Sequence, residues 1–326
     1  MFFFIKLSIL GLFIYLINER ISFDFEFIKA LSFNYFNLFI GFFFTSLSVV
    51  VGSIRWREIL KLISINLSIK ESVLYTYIGT YFSVFFPGDI GGDIVKTYYV
   101  IKDKQKGILS VSSSIVIDRF IGLLTMLLLP SFIFLFYNEK INLTIFNRMV
   151  GIEYIVFITF FVSIIMFIFL INARNIIDYL KIFFKTNKFF SNLLNKASLA
   201  LKDLSSDIRK YIKSISWSFL SQLLLYIGGF FIAHSIIEGI NFISWMILYP
   251  VIIALSSLPI TFSGIGLREY LFIIFAESLG VIEGEMLIVL SFLILLSIIS
   301  QSFIGAIIYF FFGGSKKEMP YKKQIN

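Results

Sequence analysis

Long apolar stretches without a charged residue dominate this sequence and restrict what it can fold into. Seven of them, each 17 to 30 residues long, contain no Asp, Glu, Lys or Arg: 30–54, 72–88, 120–138, 154–173, 214–237, 239–267 and 286–315. A helix needs about 20 mainly apolar residues to cross the hydrocarbon core of a bilayer. A weaker stretch, 7–18, is predicted to be a further spanning helix rather than a signal peptide, because no small-residue cleavage site follows it. The sequence therefore predicts an all-α polytopic membrane protein.

The composition agrees with a membrane protein and argues against several other classes. Hydrophobic residues make up 58% of the 326 residues and charged residues 15%, whereas a soluble domain has about 45–50% and about 25%. The chain has no Cys and one His, so disulfides, iron–sulfur clusters and zinc–thiolate sites are excluded, and we expect no cofactor and no metal. The net charge of +8 is expected to lie in basic loops beside anionic lipid and not to bind nucleic acid.

Lys and Arg in the loops predict which side of the membrane each loop faces. Four basic segments are predicted to be cytoplasmic: 55–71, 96–106, 174–213 and the tail 314–326. Four acidic or balanced segments are predicted to face outward: 18–29, 139–153, 238 and 277–285. We therefore expect a multi-pass protein of the cytoplasmic membrane with both termini in the cytoplasm.

Two apolar stretches cannot be simple crossings under this assignment, because each begins and ends on the same side. We predict that both are re-entrant broken hairpins, 72–101 entering from the cytoplasm and 239–283 from outside. Their turns are predicted at Pro87–Asp93 and Pro259–Gly266, where Gly and Pro interrupt the pattern. Irregular backbone at membrane depth must be buried in protein or line a watery cavity.

The order of these elements predicts an inverted repeat. Two spanning helices, a hairpin and a third helix occupy 1–138, and the same four elements with opposite direction occupy 139–313. The total is about six spanning helices plus two re-entrant hairpins. Gly- and Pro-interrupted segments at matching places in two inverted halves are the usual sequence pointer to the central site of a transporter.

The segment Pro87–Asp93 is the most specific motif. Its glycines would let backbone amides approach an anion, with Gly92 opening the next helix. Asp89 and Asp93 would oppose an anion unless each is paired, for example with Lys96. The alternative is a helix-breaking loop at the water interface.

A charged pair, Arg268-Glu269, follows two glycines inside an otherwise apolar stretch. A charge at the membrane centre costs roughly 2.5–3.5 kcal/mol on insertion scales, which favours a cavity or a partner for these side chains. An interfacial turn with a snorkelling arginine is the alternative.

A second charged pair, Asp118-Arg119, is predicted to open the helix 120–138. Adjacent helical residues point about 100° apart, so at least one of the two needs another partner or a ligand. The planar fork of arginine suits phosphate. The alternative is an ordinary anchor at a cytoplasmic helix end.

Two basic segments are predicted to be interfacial. Arg55-Trp56-Arg57 is expected to follow the second helix, where the positive-inside rule and the aromatic belt place such residues. In 174–213, Lys181, Lys185 and Lys188 recur at helical spacing, which favours an amphipathic helix on anionic lipid.

Four motifs occur in this order: RWR, FFPGDIGGDIVK, VIDRFIGL and LPITFSGIGLRE. The pattern resembles the flippase-like transmembrane family of the lysylphosphatidylglycerol synthases over roughly residues 5–312. The resemblance implies membrane helices with re-entrant segments and a role in moving lipids. In the two-domain synthases a soluble aminoacyl-transferase domain performs the chemistry. We expect a stand-alone member without that domain, and hence no enzyme.

The residues expected to bind the lipid are those that carry the motifs. They are Pro87, Gly88, Gly91, Gly92, Asp93, Lys96, Asp118, Arg119, Gly264, Gly266, Arg268 and Glu269. Lys96 departs from the family pattern, which commonly has arginine there and with it a bidentate fork.

The leading hypothesis is a lipid flippase that translocates a phospholipid or a polyprenyl-phosphate-linked lipid. Lys96, Arg119 and Arg268 would hold the phosphate of the headgroup, and Asp93, Asp118 and Glu269 would orient those cations. One alternative is a membrane enzyme of lipid-linked glycosyl transfer that uses Asp89, Asp93 or Glu269. Another is a non-transporting partner that docks a glycosyltransferase or synthase through 174–213. A homodimer is left open.

Overall fold

The computed structural model describes most of the chain as helix. The described ranges are 32–84, 90–104, 107–135, 142–145, 148–183, 208–257, 264–275 and 284–313, with residues 11, 15, 195, 198 and 279 in addition. The predicted first helix, 7–18, therefore lies almost entirely outside the described residues, as do Pro87 and Gly88.

The described helices follow one another in a simple order. They are α1 (Tyr35–Leu62), α2 (Ile69–Ser83), α3 (Ile90–Lys104), α4 (Ile108–Phe134), α5 (Ile152–Phe183), α6 (Ile212–His234), α7 (Phe242–Ser256), α8 (Leu267–Ile274) and α9 (Gly284–Ile308). A short 3₁₀ turn, Ile208–Tyr211, precedes α6, and a π-helical turn, Tyr309–Gly313, follows α9. Polar side chains cap several starts: Asn34 accepts from the Asn37 amide, and Asn241 from the Ser244 amide.

Within the described residues, four helical segments are long and apolar enough to cross a bilayer. They are Tyr35–Leu62, Ile108–Phe134, Arg209–His234 and Glu285–Phe311, and two shorter apolar helices are Glu153–Phe169 and Phe242–Ser256. The longer segments rise about 40 Å, more than the hydrocarbon core requires. The predicted class, a helical membrane protein, is confirmed, and the count of about six spans stays a prediction.

One short β-hairpin adds to the helices. Its strands are β1 (Asn142–Ile145) and β2 (Arg148–Gly151), paired antiparallel with Asn142 opposite Gly151. The sequence analysis predicted only a loop over 139–153. The β-branched Thr144, Ile145 and Val150 favour extended backbone, and a four-residue strand is too short to show a clear alternation.

Helices α2 and α3 form an antiparallel helical hairpin, in which the first residues of α2 contact the last residues of α3. Lys104 Nζ lies 3.0 Å from Glu71 Oε1, and the Tyr75 hydroxyl donates to Asp103 Oδ2. Each helix has 15 residues, about 22 Å, which is less than the thickness of the hydrocarbon core. The chain doubles back over these two helices, and the re-entry of 72–101 into the membrane stays a prediction.

Helices α7 and α8 form a second antiparallel hairpin. At its open end the Asn241 amide donates to the Leu279 carbonyl at 3.3 Å, and midway the rings of Trp245 and Phe272 stack with centroids 6.0 Å apart. The turns themselves, at 85–89 and 258–263, lie outside the described residues. That these hairpins are re-entrant in the membrane stays a prediction.

Small residues bring α1 and α6 into close antiparallel contact. A Cβ atom on Gly228 would lie 2.8 Å from Thr45 Cγ2 and 3.0 Å from the Gly41 carbonyl oxygen. One turn after Thr45 in α1 and two turns before Gly228 in α6, the Ser221 hydroxyl donates to the Ser48 carbonyl at 2.9 Å. Membrane helices pack through such small and hydroxyl-bearing residues, because lipid removes most of the hydrophobic drive for association.

The helix contacts come in matched pairs. Helix α1 packs against α6, α2 against α9, and α4 against α7; α3 packs against α4, and α8 against α9. Exchanging α1 with α6, α2 with α7, α3 with α8 and α4 with α9 leaves this set unchanged. An inverted repeat requires that equivalence, although the division at residue 138 and the orientation in the membrane stay predictions.

Three helix boundaries differ from the predicted ones. Helix α1 continues to Leu62, so Arg55-Trp56-Arg57 lies inside it rather than after it. Helix α4 begins at Ile108, which puts Asp118-Arg119 near its middle rather than at its start. Helix α5 extends to Phe183, into the segment predicted to be a separate interfacial helix. A count of charge-free residues stops at the first charge, whereas a helix continues through charges that find partners in the protein.

Candidate functional site

A bidentate ion pair joins α1 to α4. Arg55 Nε donates to Asp118 Oδ1 at 2.6 Å, and Arg55 Nη2 donates to Asp118 Oδ2 at 2.9 Å. The third nitrogen, Nη1, donates to the Ser218 hydroxyl of α6 at 3.1 Å. The two side chains are only 13% and 9% exposed. One guanidinium thus holds three helices together in the geometry that arginine and carboxylate favour.

Hydroxyl and amide groups extend this pair into a buried polar network. The hydroxyls of Ser218 and Thr125 share a hydrogen bond of 2.6 Å, and Gln222 Nε2 donates to the Gly122 carbonyl at 3.2 Å. A Cβ atom on Gly122 would lie 2.9 Å from Arg55 Nη1. The absence of a side chain at Gly122 therefore makes room for the guanidinium.

A second ion pair joins α4 to α3. Arg119 Nε donates to Asp93 Oδ2 at 2.6 Å, and the side chains are 45% and 23% exposed. Asp118 and Arg119 thus have partners on different helices, whereas their angular separation required only that at least one of them has another partner or a ligand. Of the two ion pairs on α4, this one is the more exposed.

Lys96 lies between the two ion pairs. Its ammonium is 5.4 Å from the centroid of the Trp56 ring, a cation–π distance. The Trp56 indole is 1% exposed and donates to the Ser114 hydroxyl at 3.2 Å. Lys96 also interacts electrostatically with both Asp118 and Asp93. Lys96 was predicted as a partner of Asp93, whereas the carboxylate of Asp93 accepts a hydrogen bond from Arg119.

The first turn of α3 contains Gly91 and Gly92, both buried. A Cβ atom on Gly92 would lie 2.6 Å from the Gly79 carbonyl oxygen and would also collide with the Ser83 hydroxyl. Gly92 therefore serves the close contact between α2 and α3, in addition to any role beside an anion.

A third charged group ties α8 to α9. Arg268 is 2% exposed; its Nε donates to the Ser291 hydroxyl at 2.6 Å, and its Nη2 lies 3.4 Å from Glu269 Oε1. The Ser291 hydroxyl donates in turn to Glu269 Oε1. Glu269 Oε2 accepts from the Gly266 amide at 2.5 Å and so caps α8.

Two glycines upstream shape the entry to α8. Gly264 and Gly266 have φ values of +78° and +86°, which other residues rarely adopt. The Gly264 carbonyl accepts from the Arg268 amide at 2.9 Å, so this turn places the arginine. The glycines have a structural reason to be there whether or not a ligand binds.

Eight of the ten described candidate residues fall into two clusters, and the other two, Gly91 and Gly92, lie in the first turn of α3. The Arg119 cluster contains Asp93, Lys96, Asp118 and Arg119, together with Arg55. The Arg268 cluster contains Gly264, Gly266, Arg268 and Glu269, together with Ser291. The first lies where α3 meets α4 and α1, and the second where α8 meets α9.

Arg55, Ser218 and Ser291 are the site residues that the sequence analysis missed. Arg55 carried a usable signal, because the chain has only eight arginines and this one directly follows a 25-residue apolar stretch. The two serines carried none, since serine is common throughout these helices and only the packing shows which hydroxyls meet a charge.

Long apolar helices joined by buried ion pairs and hydroxyl contacts define a polytopic membrane protein. A family model described as the lysylphosphatidylglycerol synthase TM region matches residues 3–307. The chain belongs to this family, as its motifs indicated. Searches of curated proteins and of solved structures each found no match.

Proposed function

We propose that this protein translocates a phosphate-bearing lipid, either a phospholipid or a polyprenyl-phosphate-linked lipid, across its membrane. Membership of a membrane-domain family whose description refers to a phospholipid synthase supports a lipid-related role. The observation that carries the proposal is the exposure of Arg119, which pairs with Asp93 of α3. The other charged residue of α4, Asp118, is buried.

The Arg119 cluster has the chemistry of a phosphate site. Arg119 pairs with Asp93 through Nε and keeps 45% of its side chain exposed. A guanidinium presents several N–H donors in a plane and binds phosphate oxygens in pairs. Asp93 and the Arg55–Asp118 pair position the cations, and the headgroup binds on the exposed side.

The charge balance favours an anionic headgroup. Among the described residues, the basic side chains Arg55, Lys96 and Arg119 outnumber the carboxylates Asp93 and Asp118 by one. In surroundings of low dielectric this excess attracts one negative charge more strongly than it would in water. A phosphodiester supplies one.

The two clusters differ sharply in exposure. Arg119 on α4 is 45% exposed, while Arg268 on α8, the helix that corresponds to α3 in the second half, is 2% exposed. In an inverted-repeat transporter the two halves exchange conformations as the site opens to one side and then the other. We place this structure in the state where the Arg119 cluster is open; the Arg268 cluster opens in the other.

A liposome assay tests the proposal. The protein is reconstituted with a trace of fluorescent phosphatidylglycerol, and dithionite added outside reduces only the outward-facing label. Loss of protected label faster than in protein-free vesicles is expected. Arg119→Ala should abolish that gain, whereas Arg209→Ala, an exposed arginine outside both clusters, should keep it. Equal rates for wild type, Arg119→Ala and empty vesicles, repeated with a polyprenyl phosphate, would contradict the proposal.

The enzyme alternative lacks a converging pair of carboxylates among the described residues. Asp93 lies on α3 and binds Arg119, while Glu269 lies on α8 and binds Arg268 and Ser291. Transfer of label from a nucleotide sugar to a lipid acceptor by the purified protein would favour that alternative over the flippase.

A further inference from the structure

An apolar pocket of about 640 Å³ opens between α4, α5 and α6. Its walls carry phenylalanine rings from all three helices, among them Phe132, Phe157 and Phe219. The one hydroxyl in the lining, that of Ser131, already donates to the Val156 carbonyl at 3.4 Å. The pocket thus offers its occupant no free hydrogen-bonding group, and its size is that of a small-molecule site.

The exposure of the lining residues shows which way the pocket faces. Val156 and Ser131, at its floor, are 6% and 7% exposed, while Phe132, Phe157 and Leu135 at its rim are 62%, 60% and 75% exposed. Helix α4 is a candidate membrane span, and Phe157 belongs to an apolar segment of α5. The rim therefore faces the hydrocarbon of the bilayer.

Pro130 in α4 explains why the three helices separate here. A proline has no N–H to donate to the carbonyl four residues earlier, which is that of Met126. The Tyr226 hydroxyl of α6 donates to this carbonyl at 3.1 Å and so holds α6 against α4 on the N-terminal side of the proline. The last turn of α4, beyond Pro130, does not have this hydrogen bond to α6, and four of the five residues that α4 and its C-cap contribute to the pocket lie there: Ser131, Phe132, Phe134 and Leu135.

We propose that this pocket binds one hydrocarbon chain of a membrane lipid. The fully apolar lining excludes a polar ligand, the rim opens into the bilayer, and chains of lipid are the apolar molecules present there. The binding requires only the membrane location that the family establishes. It does not depend on lipid transport, and it lies apart from the Arg119 cluster, which faces α3.

Photolabelling tests this proposal on the full chain. The protein is reconstituted in vesicles of phosphatidylethanolamine and phosphatidylglycerol with a trace of phosphatidylcholine that carries a diazirine at the end of one acyl chain. After illumination, adducts are mapped by mass spectrometry. Phe303 on α9 is the reference position, because it is as exposed as Phe157, at 66%, but does not line the pocket. Labelling at Phe157 and Phe160 should exceed that at Phe303 by about tenfold, the ratio for about 1.4 kcal/mol of preference.

A pocket-filling variant supplies the second arm. Leu128→Phe should reduce labelling at Phe157 to the level of Phe303, whereas Leu123→Phe, at an exposed position of the same helix outside the pocket, should not. If Leu128→Phe is not recovered folded, Phe157→Ala removes a wall of the pocket and should lower labelling at Phe160. Equal labelling at Phe157 and Phe303 in the wild type would overturn the proposal. So would cross-links showing that a second copy or residues 2–18 fill the pocket.

Discussion

Arg55 and Asp118 are 63 residues apart in the chain and meet as a bidentate ion pair between α1 and α4, with N–O distances of 2.6 and 2.9 Å. Because the same guanidinium binds Ser218 of α6, this contact joins both halves of the molecule. The exposed Arg119–Asp93 pair is next to it along α4, since Asp118 and Arg119 are consecutive residues.

Removing one partner of the Arg55–Asp118 pair should destabilise the protein strongly. Arg55→Ala leaves the Asp118 carboxylate buried without its counter-charge, a loss of about 3–5 kcal/mol for a buried pair. Thermal unfolding in detergent measures the effect. The double variant Arg55→Met/Asp118→Leu should be more stable than Arg55→Ala alone, and Lys210→Ala, an exposed control, should unfold like wild type. A double variant no better than the single one would show that the charge left behind is not the cause.

The two other arginines of the candidate clusters should separate activity from stability. Arg119→Ala breaks a half-exposed pair and should lower stability by no more than about 1 kcal/mol. Arg268→Ala leaves Glu269 and Ser291 without their buried partner and should lower the unfolding temperature markedly. Both variants should lose lipid translocation in liposomes. Unfolding temperatures that fall equally would contradict the difference in burial.

Gly92→Ala should destabilise the α2–α3 hairpin. The added methyl group would lie 2.6 Å from the Gly79 carbonyl oxygen, and the backbone of α2 cannot yield without repacking. Overpacking of this kind costs about 1–3 kcal/mol. Gly107→Ala is the matched control, since nothing lies within 4 Å of its added methyl group. The comparison is made by thermal unfolding, and equal midpoints for the two variants would refute the packing argument.

Tyr226→Phe should cost stability only while Pro130 is present. Loss of the hydroxyl leaves the buried Met126 carbonyl without this hydrogen bond, which should lower the free energy of unfolding by about 1–3 kcal/mol. In Pro130→Ala the alanine N–H regains that carbonyl, so Tyr226→Phe should then cost much less. A double-mutant cycle of unfolding free energies measures this coupling. Additive effects would show that the tyrosine does not compensate for the proline; Tyr154→Phe, 62% exposed, is the neutral control.

The closure of the α2–α3 hairpin should depend on pH through Glu71. Burial raises the pKa of Glu71, but hydrogen bonds from the Ser68 amide and from Lys104 outweigh it and hold the pKa below its ordinary value of 4.5. Because the folded pKa is lowered, the stabilisation is present above the unfolded pKa and is lost as pH falls through the folded pKa. Unfolding temperatures recorded from pH 7 to pH 3 should fall less steeply for Glu71→Gln than for wild type. Parallel profiles would contradict this.

Much of the fold was predictable from local pattern. Apolar stretches predicted the membrane class, and the breaks at Gly and Pro predicted where chains double back, as α2–α3 and α7–α8 do. The angular separation of Asp118 and Arg119 predicted that at least one of them has a partner other than its neighbour or binds a ligand. The helix ends were harder to predict. Arg55 and Asp118 limit the charge-free stretches of the sequence, whereas the helices that contain them continue past both residues.

The sequence by itself therefore determined the membrane location, the helical class and the identity of the scarce charges placed within it, since these follow from the cost of exposing polar groups to lipid. Only the tertiary structure decided the partners: Asp118 with Arg55, Asp93 with Arg119, and Arg268 with Ser291. Those contacts join residues 23 to 63 positions apart, and they depend on how helices pack. Packing also decided that Arg268 is buried and Arg119 is exposed, because the burial of a side chain depends on the residues that pack around it.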